Sequence, residues 1–258
     1  MEQTDNNSIP KINQLISEWP NGAVITMAQL KHKRYSRQLI DKYKSSRWIS
    51  PIGHGAYKKY QDKIDWFGGV YGLQFSSYPI YIGGKTSLEL LGLAHYLGPE
   101  INRCCLFGKT GTRLPKWFLE YPWGIDILYK TSNLFSQSVQ LGLTDYKHKE
   151  FNVQISAPER GAMEMMYHIP NNQGFDEAFR IMENLATLRS DMVHQLLLKC
   201  NSFKVKRLFM YMAQKVGHGW FDQLNPEQID FGKGKRVILK NGILDTQYQI
   251  TVNPENPY

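Results

Sequence analysis

A run of positively charged side chains at residues 31–48 is the stretch whose residue types could do chemistry. It reads KHKRYSRQLIDKYKSSRW, in which seven of eighteen residues are Lys or Arg and Asp41 is the single acid. Extended to residue 63, the segment holds ten Lys or Arg and two Asp. It therefore carries the whole formal net charge of +8, and the other 225 residues balance at 21 basic and 21 acidic. A single-sign block in an otherwise neutral chain produces a local field that attracts polyanions.

Three helices and a hairpin are predicted to position this charge. Apolar residues recur at helical spacing up to Trp19, and the sequence PNG then ends that helix. Thr26 is placed to cap a second helix, MAQLKHK, and a third helix begins near Ser36. Strand-like stretches at 48–50 and 56–58 surround PIGHG, whose glycines suit a tight turn. This order predicts a winged helix-turn-helix, in which the third helix enters the major groove of DNA.

The third helix is predicted to bury one face and expose a polar, mostly basic one. On a helical wheel Leu39, Ile40 and Tyr43 share the buried side. Arg37 and Gln38 suit bidentate hydrogen bonds to guanine and adenine, and the neighbouring cations suit phosphates. The predicted DNA-binding residues are Lys33, Arg34, Ser36, Arg37, Gln38, Lys42, Lys44, Arg47, His54, Lys58 and Lys59.

A basic helix face can also be merely solvated, and that alternative is weighed against DNA binding. The confinement of the net charge to one module and the glycine hairpin that carries His54, Lys58 and Lys59 favour DNA. Because counterions are released from phosphates on binding, five to seven phosphate contacts predict that log affinity falls against log salt with a slope of roughly −4 to −6.

The chain is predicted to be an α+β protein of two domains. Residues 1–63 form the winged helix-turn-helix, and residues 64–258 form a larger mixed α/β domain with a possible subdivision near residue 156. Thr86 or Ser87 is predicted to cap a helix, and Asn241-Gly242 to turn a final hairpin. Further helices are predicted in ERGAMEMMYHI, FDEAFRIMENLATL, RSDMVHQLLLKC and KVKRLFMYMAQKV, and strands in YPIYIGG, INRCCLFG and IDILYK.

Several stretches, in this order along the chain, resemble the AbiEi-type antitoxin family of type IV toxin–antitoxin systems. They are YSRQLIDKYKSSRWI with GHGAY, YIGGKTSLELLGLAHYL, LPKW, SAPERGAMEMMYHIP, VKRLFMYMAQKVGHGWF and DFGKGKRVILKNGILDTQYQITV. The resemblance implies a winged-helix repressor of its own operon, bound to operator DNA with inverted repeats. It also implies an antitoxin domain that counters a nucleotidyltransferase toxin without a stable complex.

An enzyme is the alternative, since a DNA-binding module can accompany a nuclease. Asp126 lies on a predicted strand with Lys130 four residues on, but the sequence supplies no second carboxylate at the spacing that a divalent metal needs. Glu159 and Glu164 lie apart around a helix. IGGKT and FGKTG each lack the first glycine of a phosphate-binding loop. No cofactor or metal site is therefore predicted.

A second basic cluster, Gly232-Lys233-Gly234-Lys235-Arg236, precedes the last strands. Its glycines could present backbone N–H groups, with three charges, to an anion. A solvated loop is the alternative. Given the resemblance, Lys233, Lys235 and Arg236 are candidates for the antitoxic activity, through contact with RNA. Three cysteines without metal or disulfide spacing and the lack of an apolar membrane-spanning run predict a cytoplasmic protein.

Overall fold

The computed structural model describes residues 10–94, 101–135 and 140–252. The chain divides into two compact units. Unit 1 takes in the chain up to Pro79 together with Arg113–Gly124 and Tyr146–Val153, and unit 2 takes in the remainder. None of the described helices is both long enough and apolar enough to span a bilayer.

Helices and strands alternate in the first half of the chain, and helices dominate the second half. The helices are α1 (Lys11–Glu18), α2 (Met27–His32), α3 (Arg37–Ser45), α4 (Trp66–Phe75), α5 (Gly84–Leu90), α6 (Lys116–Glu120), α7 (Pro158–Tyr167), α8 (Phe175–Glu183), α9 (Ser190–Lys199) and α10 (Phe203–Val216). The strands are β1 (Ile25–Thr26), β2 (Ile49–Gly53), β3 (Ala56–Lys59), β4 (Ile80–Ile82), β5 (Arg103–Lys109), β6 (Asp126–Ser132), β7 (Leu143–His148), β8 (Phe151–Ser156), β9 (Arg236–Val237), β10 (Ile243–Asp245) and β11 (Ile250–Val252).

Unit 1 begins with the predicted winged helix-turn-helix. Strands β2 and β3 form the antiparallel wing hairpin, and β1 adds a third strand in the order β1-β3-β2. Thr26 caps α2 through a capping box with Gln29, because each residue's side chain bonds the other's backbone N–H. Leu15, Leu30 and Ile40 are almost fully buried in its core. The predicted fold is confirmed.

Helix α4 packs on the winged-helix segment within unit 1. Its glycines allow the two backbones to approach, since a Cβ at Gly68 would overlap the carbonyl oxygen of Gly22. The carbonyl of Gly68 also accepts a 3.2 Å hydrogen bond from the backbone N–H of Val24. Compact unit 1 thus continues past the predicted boundary at Lys63, and the independent folding of residues 1–63 stays a prediction.

Unit 2 contains β4, β5 and β6 and the base of the β7–β8 hairpin, which belong to a sheet of order β6-β5-β4-β8-β7. Strand β4 is antiparallel to β5 and parallel to β8, and β5 is parallel to β6. Helices α7 to α10 form one hydrophobic core, rich in methionine, that includes Met163, Met166, Met210 and Met212. The sequence predicted these helices and strands β4 to β6, whereas the β7–β8 hairpin was not predicted.

The predicted cap of α5 is wrong. The helix begins at Gly84, two residues before Thr86, and its N-cap residue, Gly83, provides no side-chain cap. The backbone N–H of Gly84 instead donates to the carboxylate of Glu164 at 3.1 Å. The Thr86 hydroxyl donates to the carbonyl of Arg103 at 2.9 Å, so it joins the helix to β5.

The predicted hairpin at Asn241-Gly242 is also wrong. The chain does turn there, but the strands on either side of the turn do not pair with each other. Strand β11 lies between them, parallel to β9 and antiparallel to β10. The hairpin of this small sheet is therefore β10–β11, and β9 is added at its far edge.

Candidate nucleic-acid interface

Helix α3 is held so that its polar face remains exposed. The Ser36 hydroxyl accepts a 3.2 Å hydrogen bond from the backbone N–H of Leu39 and caps the helix. Ile40 and Tyr43 are buried and anchor the opposite side. Arg37 and Gln38, at the start of the helix, are exposed, as a recognition helix that reads bases with its N-terminal residues requires.

Four of the predicted DNA-binding lysines already have partners within unit 1. An ammonium has three N–H donors, so a lysine that already donates to another group has fewer donors left for a phosphate, and we expect these four to contribute less than exposed, unpaired ones. The contacts are Lys33 to Glu18 at 2.6 Å, Lys44 to Asp41 at 2.6 Å, Lys58 to the carbonyl of Asp62 at 2.6 Å, and Lys59 to the side chain of Asn21 at 2.8 Å.

The other basic residues around α3 are exposed. Arg34 lies in the turn between α2 and α3 with a φ of 64°, and Arg47 follows α3 with a φ of 56°. Within the part of the chain that the structure describes, no hydrogen bond or ion pair engages the side chains of Arg34, Arg37, Lys42 and Arg47. These four side chains are therefore available for contacts with DNA.

A cleft of about 310 Å³ lies among α2, α3 and the wing. The backbone N–H of Met27 donates to the carbonyl of Gly55 at 2.7 Å and fastens the wing turn beside α2. The lining residues are Met27, Lys31, Arg37, Asp41, Lys44, Pro51, Gly53, His54, Gly55 and Tyr57. The structure thus brings His54 together with Arg37 and Lys44.

The cleft adds two residues that the sequence did not assign to the site. Lys31 belongs to the basic run, so the charge count was a signal for it. Asp41, the single acid of residues 31–48, lies exposed on α3. The hydrogen bond from Lys44 lowers the pKa of Asp41, so its carboxylate stays ionised. An ionised carboxylate beside a recognition helix can accept a hydrogen bond from the amino group of cytosine.

The acidic residues considered for catalysis are held by basic partners in unit 2. Glu164 is fully buried and accepts hydrogen bonds from Tyr81, Ser156 and Arg160. Such a satisfied network stabilises a fold. Glu159 pairs with Arg189, and Asp126 pairs with Arg103 at 2.6 Å. Across residues 10–94, 101–135 and 140–252, no three His, Cys, Asp or Glu side chains form a group that could hold a metal.

The basic loop at 232–236 is exposed in unit 2, but its backbone is not arranged as expected. The N–H of Gly232 donates to the carboxylate of Asp230 at 2.8 Å, so this N–H is occupied within the protein and is not offered to an external anion. The side chains of Lys233, Lys235 and Arg236 are exposed. Sequence reasoning missed Arg207, which lies beneath this loop and is nearly fully buried.

Comparisons with known proteins identify one family. The family model of the N-terminal domain of the AbiEi antitoxin transcriptional regulators matches residues 8–98. A second model, described as the AbiEi antitoxin transcriptional regulator of a type IV toxin–antitoxin system, matches residues 102–253. No curated protein matches the chain significantly.

Among solved structures, the crystal structure of the RV2827C protein from Mycobacterium tuberculosis is similar. The alignment covers 94% of this chain and 92% of that chain, with a TM-score of 0.57 and 11% identity, which shows a shared fold. Because the two family models together match nearly the whole sequence, the chain belongs to the AbiEi antitoxin family of transcriptional regulators of type IV toxin–antitoxin systems.

Proposed function

We propose that the protein represses its own operon through unit 1 and counters a nucleotidyltransferase toxin through unit 2, without a stable complex with that toxin. The observation that carries the proposal is the exposed face of α3, where Arg37, Gln38 and Lys42 have no side-chain partner among the described residues and Arg37 lies beside the wing. The operator is expected to contain inverted repeats, because paired half-sites are the common arrangement for helix-turn-helix regulators.

The residues of unit 1 divide by the part of DNA that they can contact. Arg37 and Gln38 are at the N-terminal end of α3, from which bidentate contacts to guanine and adenine are made. The cations that suit phosphates are Arg34, which precedes α3, Lys42, which lies in its last turn, and Arg47, which follows it. Base contacts carry the sequence preference, and phosphate contacts add affinity for any sequence.

Operator binding tests the repressor half. Fluorescence anisotropy would compare the promoter fragment of the protein's own operon with a scrambled fragment. Arg37→Ala and Gln38→Ala should each reduce the preference for the promoter by about 1–3 kcal/mol, which is roughly 5- to 150-fold. Arg113→Ala and Asn13→Ala are controls that remove a guanidinium and a carboxamide from exposed positions of unit 1, and both should keep the preference. Equal preference in all four variants would contradict the assignment of α3 as the reading helix.

Co-expression tests the antitoxin half. The toxin and the full-length regulator would be expressed from unrelated inducible promoters, so that repression of the native operon plays no part. The Arg37→Ala/Gln38→Ala double variant should still restore growth, because the proposal places antitoxic activity in unit 2, which carries the exposed Lys233, Lys235 and Arg236. The two proteins should elute separately in size-exclusion chromatography. Failure of the double variant to restore growth would mean that protection requires DNA binding.

A further inference from the structure

One buried guanidinium holds the loop at 232–236 in place through hydrogen bonds to its main-chain carbonyls. Arg207, on α10, donates from Nε to the carbonyl of Phe231 at 2.8 Å and from Nη2 to the carbonyl of Gly232 at 2.9 Å. Its Nη1 donates to the carbonyls of Gly234 at 2.6 Å and Gln249 at 3.2 Å. The loop carbonyls therefore face inward, and the backbone that carries the exposed lysines is fixed.

No acidic side chain of the described residues pairs directly with this anchor. All four acceptors of Arg207 are main-chain carbonyls, so no carboxylate among the described residues neutralises it. Lys206 is likewise buried, and its ammonium donates to the carbonyl of Asp230 at 3.0 Å. The carboxylate of Asp230 accepts a hydrogen bond from the backbone N–H of Gly232 and, within the described residues, forms no ion pair with either cation. Burial, with the charge of Arg236 as the next cause, lowers the pKa of Arg207, an indication that these cations repel each other.

The aromatic ring of Phe203 lies against the loop at 232–236. A Cβ at Gly232 would contact this ring at 2.6 Å, so a glycine is needed for the loop to lie against it. The guanidinium of Arg236 lies 5.6 Å from the ring centroid, within cation–π range. Phe203 therefore holds Arg236 in place beside the exposed lysines at 233 and 235.

We propose that Lys233, Lys235 and Arg236, positioned by Arg207 and Phe203, form a second nucleic-acid-binding surface that contacts the phosphates of a single strand. The backbone that carries these side chains is held in one conformation by Arg207, and a guanidinium with two ammoniums suits successive phosphates of a polyanion. The surface lies in unit 2, apart in sequence from the α3 residues. The inference rests on the antitoxin half of the proposed function, to which it assigns a partner class, and RNA is the expected source.

The test measures binding of the full-length protein to labelled RNA and DNA single strands of one sequence over a range of salt. Each phosphate contact to a single strand contributes about 0.7 to the log–log salt slope, so three contacts contribute about 2. The Lys233→Ala/Lys235→Ala/Arg236→Ala variant should lose about 2 from that slope and bind RNA at least roughly tenfold more weakly. The charge-preserving Lys233→Arg/Lys235→Arg/Arg236→Lys variant should bind like the wild type.

Operator DNA serves as the internal control. The triple alanine variant should bind the operator as the wild type does, whereas Arg37→Ala should weaken operator binding and leave single-strand binding intact. The inference would be overturned if the triple alanine variant kept the salt slope of RNA binding. It would also be overturned if this variant bound RNA but no longer restored growth, because the surface would then serve a protein partner. If the wild type binds the operator but neither strand, the inference fails and the repressor half stands. Tighter binding of the DNA strand than of the RNA strand would support a surface that binds single strands and would identify DNA, in place of RNA, as its ligand.

Discussion

The salt dependence of operator binding offers a sharp test of which lysines face DNA. Four cations around α3 that are not assigned to bases, Lys31, Arg34, Lys42 and Arg47, are exposed and make no side-chain hydrogen bond or ion pair within the described residues. At about 0.9 per phosphate contact on duplex DNA, four contacts per bound domain predict a log–log slope of about −3.6. This slope is weaker than the −4 to −6 expected from the sequence, because the structure gives partners to other lysines of the module.

Two matched Lys→Ala variants compare an unpaired lysine with a paired one. Lys42→Ala should reduce the magnitude of the slope by about 0.9 and weaken all sequences alike, about fivefold at physiological salt. Lys59→Ala should leave the slope nearly unchanged, because the Lys59 ammonium is bound to the side chain of Asn21. That side chain is fixed in turn by a 2.8 Å hydrogen bond to Glu150.

The assay is fluorescence anisotropy of a labelled promoter fragment, titrated at several salt concentrations with each variant and the wild type. Urea unfolding of the same preparations would show whether either substitution disturbs the fold. The reasoning would be refuted if Lys59→Ala lowered the slope as much as Lys42→Ala. The Lys59 ammonium would then leave Asn21 on binding, and the internal contacts of the lysines would not predict their role.

Three further predictions concern stability. Glu164→Ala should lower the free energy of unfolding by about 3–5 kcal/mol in urea, because it leaves the buried Arg160 without its carboxylate partner. Gly68→Ala should lower the free energy of unfolding by about 1–3 kcal/mol or more, since the new methyl group meets main-chain atoms. The control Gly219→Ala places its methyl group in open space and should leave the free energy of unfolding nearly unchanged. Equal effects of the two substitutions would contradict the close packing of α4. Burial holds the pKa of His168 at about 4, below its ordinary value of 6.5. The unfolded chain therefore binds more protons between these values, so stability should fall as pH drops from about 6.5 towards 4, and His168→Met should flatten that fall in unfolding measured against pH.

Features that depend on neighbours in sequence could be predicted. The position of α3 follows from the spacing of Ile40 and Tyr43 and from the cap at Ser36, all within one short segment. The capping box of α2 and the helices α7 to α10 follow from equally local patterns. The charge count located the candidate interface because charge is a property of composition and needs no fold.

Features that depend on distant residues could not be predicted in the same way. A cap at Thr86 is a reasonable local expectation, but Glu164, 80 residues beyond Gly84, supplies the hydrogen bond that starts α5. The order of the last strands was likewise set by pairing between segments and not by the turn at Asn241-Gly242. In both places a contact between separate segments of the chain, and not the neighbouring residues, decided how the backbone groups are paired.

The candidate sites divide along the same line. The sequence by itself determined that residues 31–63 carry the net charge and that a winged helix presents it. The tertiary structure decided which of those charges are free, because a lysine such as Lys59 meets its partner, Asn21, only when strands and turns far apart in the chain are brought together. It also decided that Arg207 lies beneath the basic loop, a contact across 25 residues to Gly232. Composition fixes how much charge a segment has, whereas packing fixes where each charged atom lies and what it can still bind.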